Sequence, residues 1–178
     1  CDYLGLSTDI RIREAGAKAV MDYGSCTTVS RTYVKFKPLN EAEEKMSDLL
    51  GRPCLVVPKT SLGHLSVLPV ILGKDDLVVL DHQVHTTIRI AVNSAKANGC
   101  AVKTIRHNDM EALEQVILNT KDKYRKIWYL GDGVYSMYGD TFDYTKIESL
   151  LNKRGLIDGS LFDEDNFEFI HYFTQAMK

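Results

Sequence analysis

The chain has 178 residues, 26% of them charged, and a formal net charge of −2 with both signs interspersed. That length allows one well-filled core or most of a larger domain. The lack of a basic block argues against nucleic acid and a polybasic membrane surface, and no apolar run is long enough to span a bilayer.

The opening Cys1-Asp2-Tyr3-Leu4-Gly5-Leu6-Ser7 does not read as a methionine start, so the chain is expected to begin inside a longer one. Thr8 or Asp9 can cap a helix carrying Ile12, Ala15, Ala19, Val20 and Tyr23, which Gly24 can close. Ser25 to Thr32 is small, polar and aperiodic, a loop able to line a cleft or simply to connect. Asn40 with Glu43 resembles a capping box ahead of Ala42, Met46, Leu49 and Leu50, and Gly51 stops that helix. Cys54-Leu55-Val56-Val57 reads as a short buried strand. Lys59-Thr60-Ser61 then leads into a helix with Leu62, Leu65, Leu68 and Leu72 on its inner side, which Pro69 should kink or end early.

Leu77-Val78-Val79-Leu80 is apolar throughout and reads as a strand buried on both faces. The run breaks at Asp81-His82-Gln83-Val84-His85, and a helix follows with Ile88, Ala91, Val92 and Ala95 on one face. Ligands of open α/β sheets sit at the carboxyl ends of strands, so Asp81, His82 and His85 mark the best candidate site. The alternative is a loop whose histidines cap the helix or face water. Gly99 precedes an alternating strand, Ala101–Ile105. Asn108 and Glu111 repeat the capping pattern before Met110, Leu113, Val116 and Ile117. Lys126–Leu130 is the next strand, ending in the glycine-punctuated loop 131–140, before a helix with Ile147, Leu150 and Leu151. Strand and helix alternate at least three times, the pattern of a mostly parallel α/β sheet with flanking helices.

From Leu156 the character changes. Phe167, Ile170, Phe173 and Met177 suggest one amphipathic helix, too aromatic to stand alone and so expected to pack on the core or on a second chain. Three segments are expected: a helical arm and cleft loop over 1–52, an α/β core over 53–155 and a divergent or truncated tail over 156–178. The four cysteines, at 1, 26, 54 and 100, show no CxxC pair or metal-ligand spacing. Cys54 and Cys100 lie beside apolar runs, so buried free thiols and a cytoplasmic compartment are expected.

Taken together, these pieces resemble the amino-terminal half of the α-oxoamine synthases, within the fold-type I enzymes that use pyridoxal 5′-phosphate (PLP). Asp2-Tyr3-Leu4-Gly5-Leu6 is similar to that family's Asn-Tyr-Leu-Gly-Leu, and Tyr23-Gly24 through Ser30-Arg31 to its Tyr-Gly and Ser-Arg segment. Asp81-xxx-His85, His107-Asn108-Asp109 and Asp132-Gly133-Val134-Tyr135-Ser136-Met137-Tyr138-Gly139-Asp140 match further motifs, in order, across residues 2–151. The resemblance implies an incomplete large domain of the aspartate-aminotransferase-like architecture, PLP as cofactor, and condensation of an amino acid with an acyl thioester accompanied by decarboxylation. Phosphate binding would fall to Thr60, Ser61 and Leu62 at a helix start. His85 would stack on the cofactor ring, and Ser136 would border the cleft. A homodimer, or a heterodimer with a related subunit, is implied as well.

The family's Asp-x-Ala-His motif and its Ser/Thr-flanked Schiff-base lysine have no match. Asp158, in Asp158-Gly159-Ser160, is nearest in position to the first. No family role falls on Lys59. Two readings follow: a piece of a larger synthase lacking that lysine and inactive alone, or a non-catalytic partner subunit of such an enzyme. A metal protein using His64, His82 and His85 has no third ligand at a defined spacing. A dinucleotide-binding protein would need a GxGxxG that the chain lacks.

Overall fold

The computed structural model describes residues 5–25, 30–120, 123–141, 143–153 and 167–172. The described residues divide into two compact units, one up to Pro58 and one from Lys59 onward.

Among its described residues the first unit carries two α-helices. Helix α1 (Ile10–Tyr23) starts at Asp9, whose carboxylate accepts the Arg11 N–H at 2.9 Å, and Gly24 closes it. Helix α2 (Lys37–Leu50) begins three residues before the expected Asn40 cap, because Pro38 occupies its first turn, where a missing N–H costs nothing. Asn40 therefore lies inside the helix. Glu43, expected to complete a capping box, instead accepts Arg31 Nη2 at 2.6 Å and the Val56 N–H at 2.8 Å. Gly51 ends α2 at φ 66°, a left-handed conformation that an L side chain rarely adopts.

The strand expected over Cys54–Val57 does not form. Its amides are taken by side chains: Cys54 N–H donates to Ser47 Oγ at 2.9 Å and Val56 N–H to Glu43. Leu55 is 78% exposed rather than buried. With those donors engaged on α2, the segment has no ladder to join.

The second unit is an α/β layer structure. Helix α3 (Thr60–Ile71) retains Pro69 in its last turn and ends two residues later, as the proline requires. It buries Leu68 and His64, and Leu72 is buried just past its end. Leu62 and Leu65, expected on the inner side, are 49% and 39% exposed. Strand β1 (Leu77–Asp81), helix α4 (Thr86–Ala97), strand β2 (Ala101–Ile105), helix α5 (Met110–Thr120), strand β3 (Ile127–Asp132), helix α6 (Tyr144–Lys153) and strand β4 (Phe167–Tyr172) follow. The sheet order is β2-β1-β3-β4, and every pairing is parallel. The tail expected as an amphipathic helix is in this way a strand over 167–172, paired from Ile127↔Phe167 to Asp132↔Tyr172. Phe173 and Met177 lie outside the described residues.

Period-two alternation divides the core between the two faces of the sheet. Leu77, Val79, Ile127 and Tyr129 pack with Leu113, Val116, Ile117, Ile147 and Leu150 of α5 and α6. Val78, Leu80, Trp128 and Leu130 pack on the other face with Leu68 of α3 and Ile88, Ala91, Val92 and Ala95 of α4. β1 and β3 are buried at every position because helices cover both faces. The expected apolar face of α4 is fully buried. Helix α5 is capped by Asp109, whose Oδ1 accepts the Ala112 N–H at 2.9 Å. Asn108, expected as the cap, takes a left-handed φ of 52° one residue earlier. Cys100 is a buried free thiol, which burial pushes up to about 11, while Cys54 is free and half-buried.

Candidate active site

The connections fix where a ligand can enter. From β1 the chain passes through α4 to β2 on one side; from β3 it passes through α6 to β4 on the other. The two paths part between the carboxyl ends of β1 and β3, the switch point where ligands of open α/β sheets sit in a crevice. Asp81 and Asp132 are the last residues of those strands, 0% and 4% exposed.

The carboxylates hold the flanking loops. Asp81 Oδ1 accepts the Gln83 N–H at 2.7 Å and Oδ2 accepts the Asn108 N–H at 2.8 Å. His107 Nδ1 donates to Asp81 at 3.0 Å, and its Nε2 donates to Asp140 Oδ2 at 2.7 Å. Two carboxylate acceptors require both ring nitrogens to carry protons, so the geometry selects the imidazolium. Burial alone lowers the His107 pKa, but Asp140 and Asp81 together outweigh it and the net shift is upward. The ring also stacks on Tyr138 and meets Tyr135 edge-on, with centroids 5.5 and 4.3 Å away. His107 thereby ties β1 to the loop after β3. Gly139, at φ 70°, closes that loop's turn by donating to Tyr135 O at 2.7 Å. Tyr129 and Tyr135 are buried beside Asp81, and burial pushes both phenols well above the ordinary tyrosine range.

His85 stands at the start of α4. Its backbone N–H crosses the switch point to Asp132 Oδ2 at 3.0 Å. Its Nδ1 accepts the Thr87 N–H at 3.2 Å and lies 2.8 Å from Thr87 Oγ1. An Nδ1 that accepts the amide is unprotonated, so the Thr87 hydroxyl donates to it as well. The same hydroxyl then accepts from His64 Nδ1–H, also at 2.8 Å. The tautomers follow: His85 carries its proton on Nε2 and His64 on Nδ1. Burial first, then the neighbouring His85, depresses the His64 pKa to about 4, in keeping with a neutral ring. Burial raises the Asp132 pKa against the opposing pull of the His85 N–H.

His64 lies in the second turn of α3, so its bond to Thr87 ties that helix to the start of α4. Thr60 and Ser61 open α3, and the first turn closes only at Leu62 N–H to Lys59 O, 3.0 Å. Their amides therefore precede the helical ladder and point outward from its positive end. His85 is both cap and exposed ring, so the two readings of that stretch are compatible. Ser136 is exposed on the turn that Gly139 closes. Asp158 lies outside the described residues. His82 reaches its neighbour Gln83 at 3.2 Å, and its carbonyl accepts Arg89 Nη2. No site role falls on His107 or Asp132 from the sequence, and His64 entered only as a metal-ligand candidate. Only the recurrence of Asp81, His107 and Asp132 within separate motifs hinted at the first two.

The parallel sheet with its flanking helices matches the fold-type I architecture. A serine palmitoyltransferase from S. paucimobilis superposes with a TM-score of 0.79 at 23% identity, covering 96% of this chain and 39% of that one. The 8-amino-7-oxononanoate synthase of Francisella tularensis follows with a TM-score of 0.64 at 17% identity, over 84% of this chain and 40% of that one. In sequence, a putative 8-amino-7-oxononanoate synthase of Gloeobacter violaceus is 34% identical over 156 residues, 86% of this chain and 39% of the relative. A serine palmitoyltransferase of Bacteriovorax stolpii is 30% identical over 156 residues, 86% of this chain and 36% of the relative. No family model matches the chain. The chain resembles the amino-terminal part of the α-oxoamine synthases, and it spans less than two-fifths of the length of these curated relatives.

Proposed function

We propose that the chain is the cofactor-holding, amino-terminal part of a PLP-dependent acyltransferase that condenses an amino acid with an acyl thioester, and that alone it lacks the lysine such a reaction needs. The observation that carries this reading is the exposed His85 ring, pinned at the switch point by its own N–H and Nδ1. A ring fixed along one edge leaves a face free for a flat aromatic ligand. The residues present fit two parts of PLP. His85 suits the pyridine face, and the amides and hydroxyls of Thr60 and Ser61 suit the phosphate, whereas the Leu62 N–H is taken by Lys59 O at 3.0 Å. When bound, PLP supplies an electron sink for charge developing at the α-carbon of an amino acid. Ser136 borders the same loop and is available to the substrate side. His107 keeps that loop against β1, limiting the entry of water.

Calorimetric titration of PLP tests the assignment. Stacking contributes on the order of 1 kcal/mol beyond area burial, so His85→Ala is expected to weaken binding about five- to tenfold. His85→Phe should recover part of the loss, and His82→Ala should bind as wild type. Equal affinity for wild type and His85→Ala would return His85 to a capping role.

The second reading, a partner subunit without catalysis, draws on Asp158-Gly159-Ser160 standing where Asp-x-Ala-His is expected. Borohydride treatment with PLP and peptide mapping tests what the two readings share. Both readings expect diffuse lysine labelling of this chain alone. Adding a carboxyl-terminal part of a synthase should give active enzyme only under the first. A dimer or larger species in sedimentation at micromolar concentration is expected under either.

A further inference from the structure

We infer that Asp132 is a positioning residue for His85, fixing the ring through the backbone. The inference builds on the assignment of His85 as the ring platform.

Asp132 ends β3, and the stretch containing His85 leaves β1; nothing local in the sequence joins them across 47 positions. The bond from His85 N–H to Asp132 Oδ2 is their link across the crevice. With Nδ1 already held by Thr87, this leaves the His85 side chain little rotational freedom. Without Asp132, the loop from His82 to His85 would be referred only to β1 and α4, and the ring would follow their motion.

Stability alone does not account for this carboxylate. Asp132 is 4% exposed, its Oδ1 has no hydrogen-bond partner among the described residues, and Asp81 lies close enough to disfavour a second charge. A buried acceptor left unpaired costs free energy that an apolar residue would avoid. Capping the His85 N–H needs only one oxygen. A buried carboxyl at such a cost, at the switch point and bonded to the backbone of the candidate ring platform, points to alignment of the site.

The test compares wild type, Asp132→Ala and Asp132→Asn in the full chain. It reads hydrogen exchange at the His85 N–H, the His85 imidazole signals by NMR, and PLP affinity. Asp132→Ala is expected to lower protection of the His85 N–H about tenfold, since its carboxyl acceptor is lost. It should also shift the His85 ring signals while those of His107 stay in place, and weaken PLP binding three- to tenfold. Asp132→Asn keeps an acceptor oxygen and should restore all three to within about twofold. Equal protection in all three proteins would overturn the inference, as would an Asn variant no better than Ala. A general structural role would move the His107 signals as well. If the wild type takes up no PLP, the proposed function fails on its own, and exchange with ring signals still decides the role of Asp132. Should Asp132→Ala not fold, Asp132→Ser, polar but shorter, replaces it with the same expected loss.

Discussion

Replacing His107 by alanine removes the cation that joins Asp81 to Asp140, and its cost can be worked from the contacts. Asp81 is fully buried and would keep its two backbone donors, Gln83 and Asn108, while losing its charged partner. A hydrogen bond to a charged group contributes roughly 1.5–3 kcal/mol. Asp140 is 43% exposed, so that side of the bridge adds about 0–1 kcal/mol. The edge-on contact with Tyr135 adds roughly 0.5–1.5 kcal/mol. Because the groups share one network the contributions overlap, and about 3 kcal/mol is expected in total. Urea unfolding at pH 6 should move the midpoint down by roughly 1–2 M, at slopes usual for a small domain. The effect should also depend on pH. A histidine whose folded pKa is raised stabilises fully below its unfolded value, near 6.5, and loses that contribution as pH rises through the folded value. The gap between wild type and His107→Ala should narrow from pH 6 towards pH 9. A loss below about 0.5 kcal/mol at pH 6, or one that is the same at both pH values, would refute the reasoning.

His64 predicts the opposite slope on the acid side: its folded pKa of about 4 leaves the unfolded chain binding the extra proton below 6.5. Stability should therefore fall from pH 6.5 towards 4 by on the order of 3 kcal/mol from this group, and His64→Gln should flatten that slope in urea titrations at several pH values. Asp76→Ala strips the acceptor shared by Gly73 N–H, Arg125 and the buried Trp128 indole at 2.8, 2.7 and 3.0 Å. It should cost about 3 kcal/mol and change the tryptophan fluorescence of the folded state. Ile88→Ala, at a fully buried position between α4 and the sheet, should cost roughly 2–5 kcal/mol without altering the His85 ring signals.

Several elements were legible because their causes are local. Four apolar residues from Leu77 to Leu80 can only be a strand with both faces covered. The spacing of Ile88, Ala91, Val92 and Ala95 can only bury one stripe of a helix, and both are observed. Gly24 and Gly51 announced their helix ends for the same reason. Pattern misled where pairing decides. Cys54–Val57 has strand composition but finds its amide acceptors on Ser47 and Glu43. Phe167–Tyr172 fits a helical stripe, yet an open edge of β3 recruits it as a strand. A ladder is a contract between distant segments, and neither segment carries its terms alone.

The same division runs through the site. Composition and order marked His85, Asp81 and the loop after β3, and placed them at a sheet edge. The sequence could not show that His107, 26 positions from Asp81 and 33 from Asp140, bridges the two. Nor could it show that Thr87 joins His64 to His85, or that Asp132 reaches the His85 amide. Those contacts depend on which strand lies beside which. The order β2-β1-β3-β4 is set by how right-handed crossovers pack helices on both faces. Sequence thus determined which residue types the strand ends would carry. The tertiary structure alone decided which strand ends would meet, because adjacency in a parallel sheet is created only when the helices between the strands have been buried.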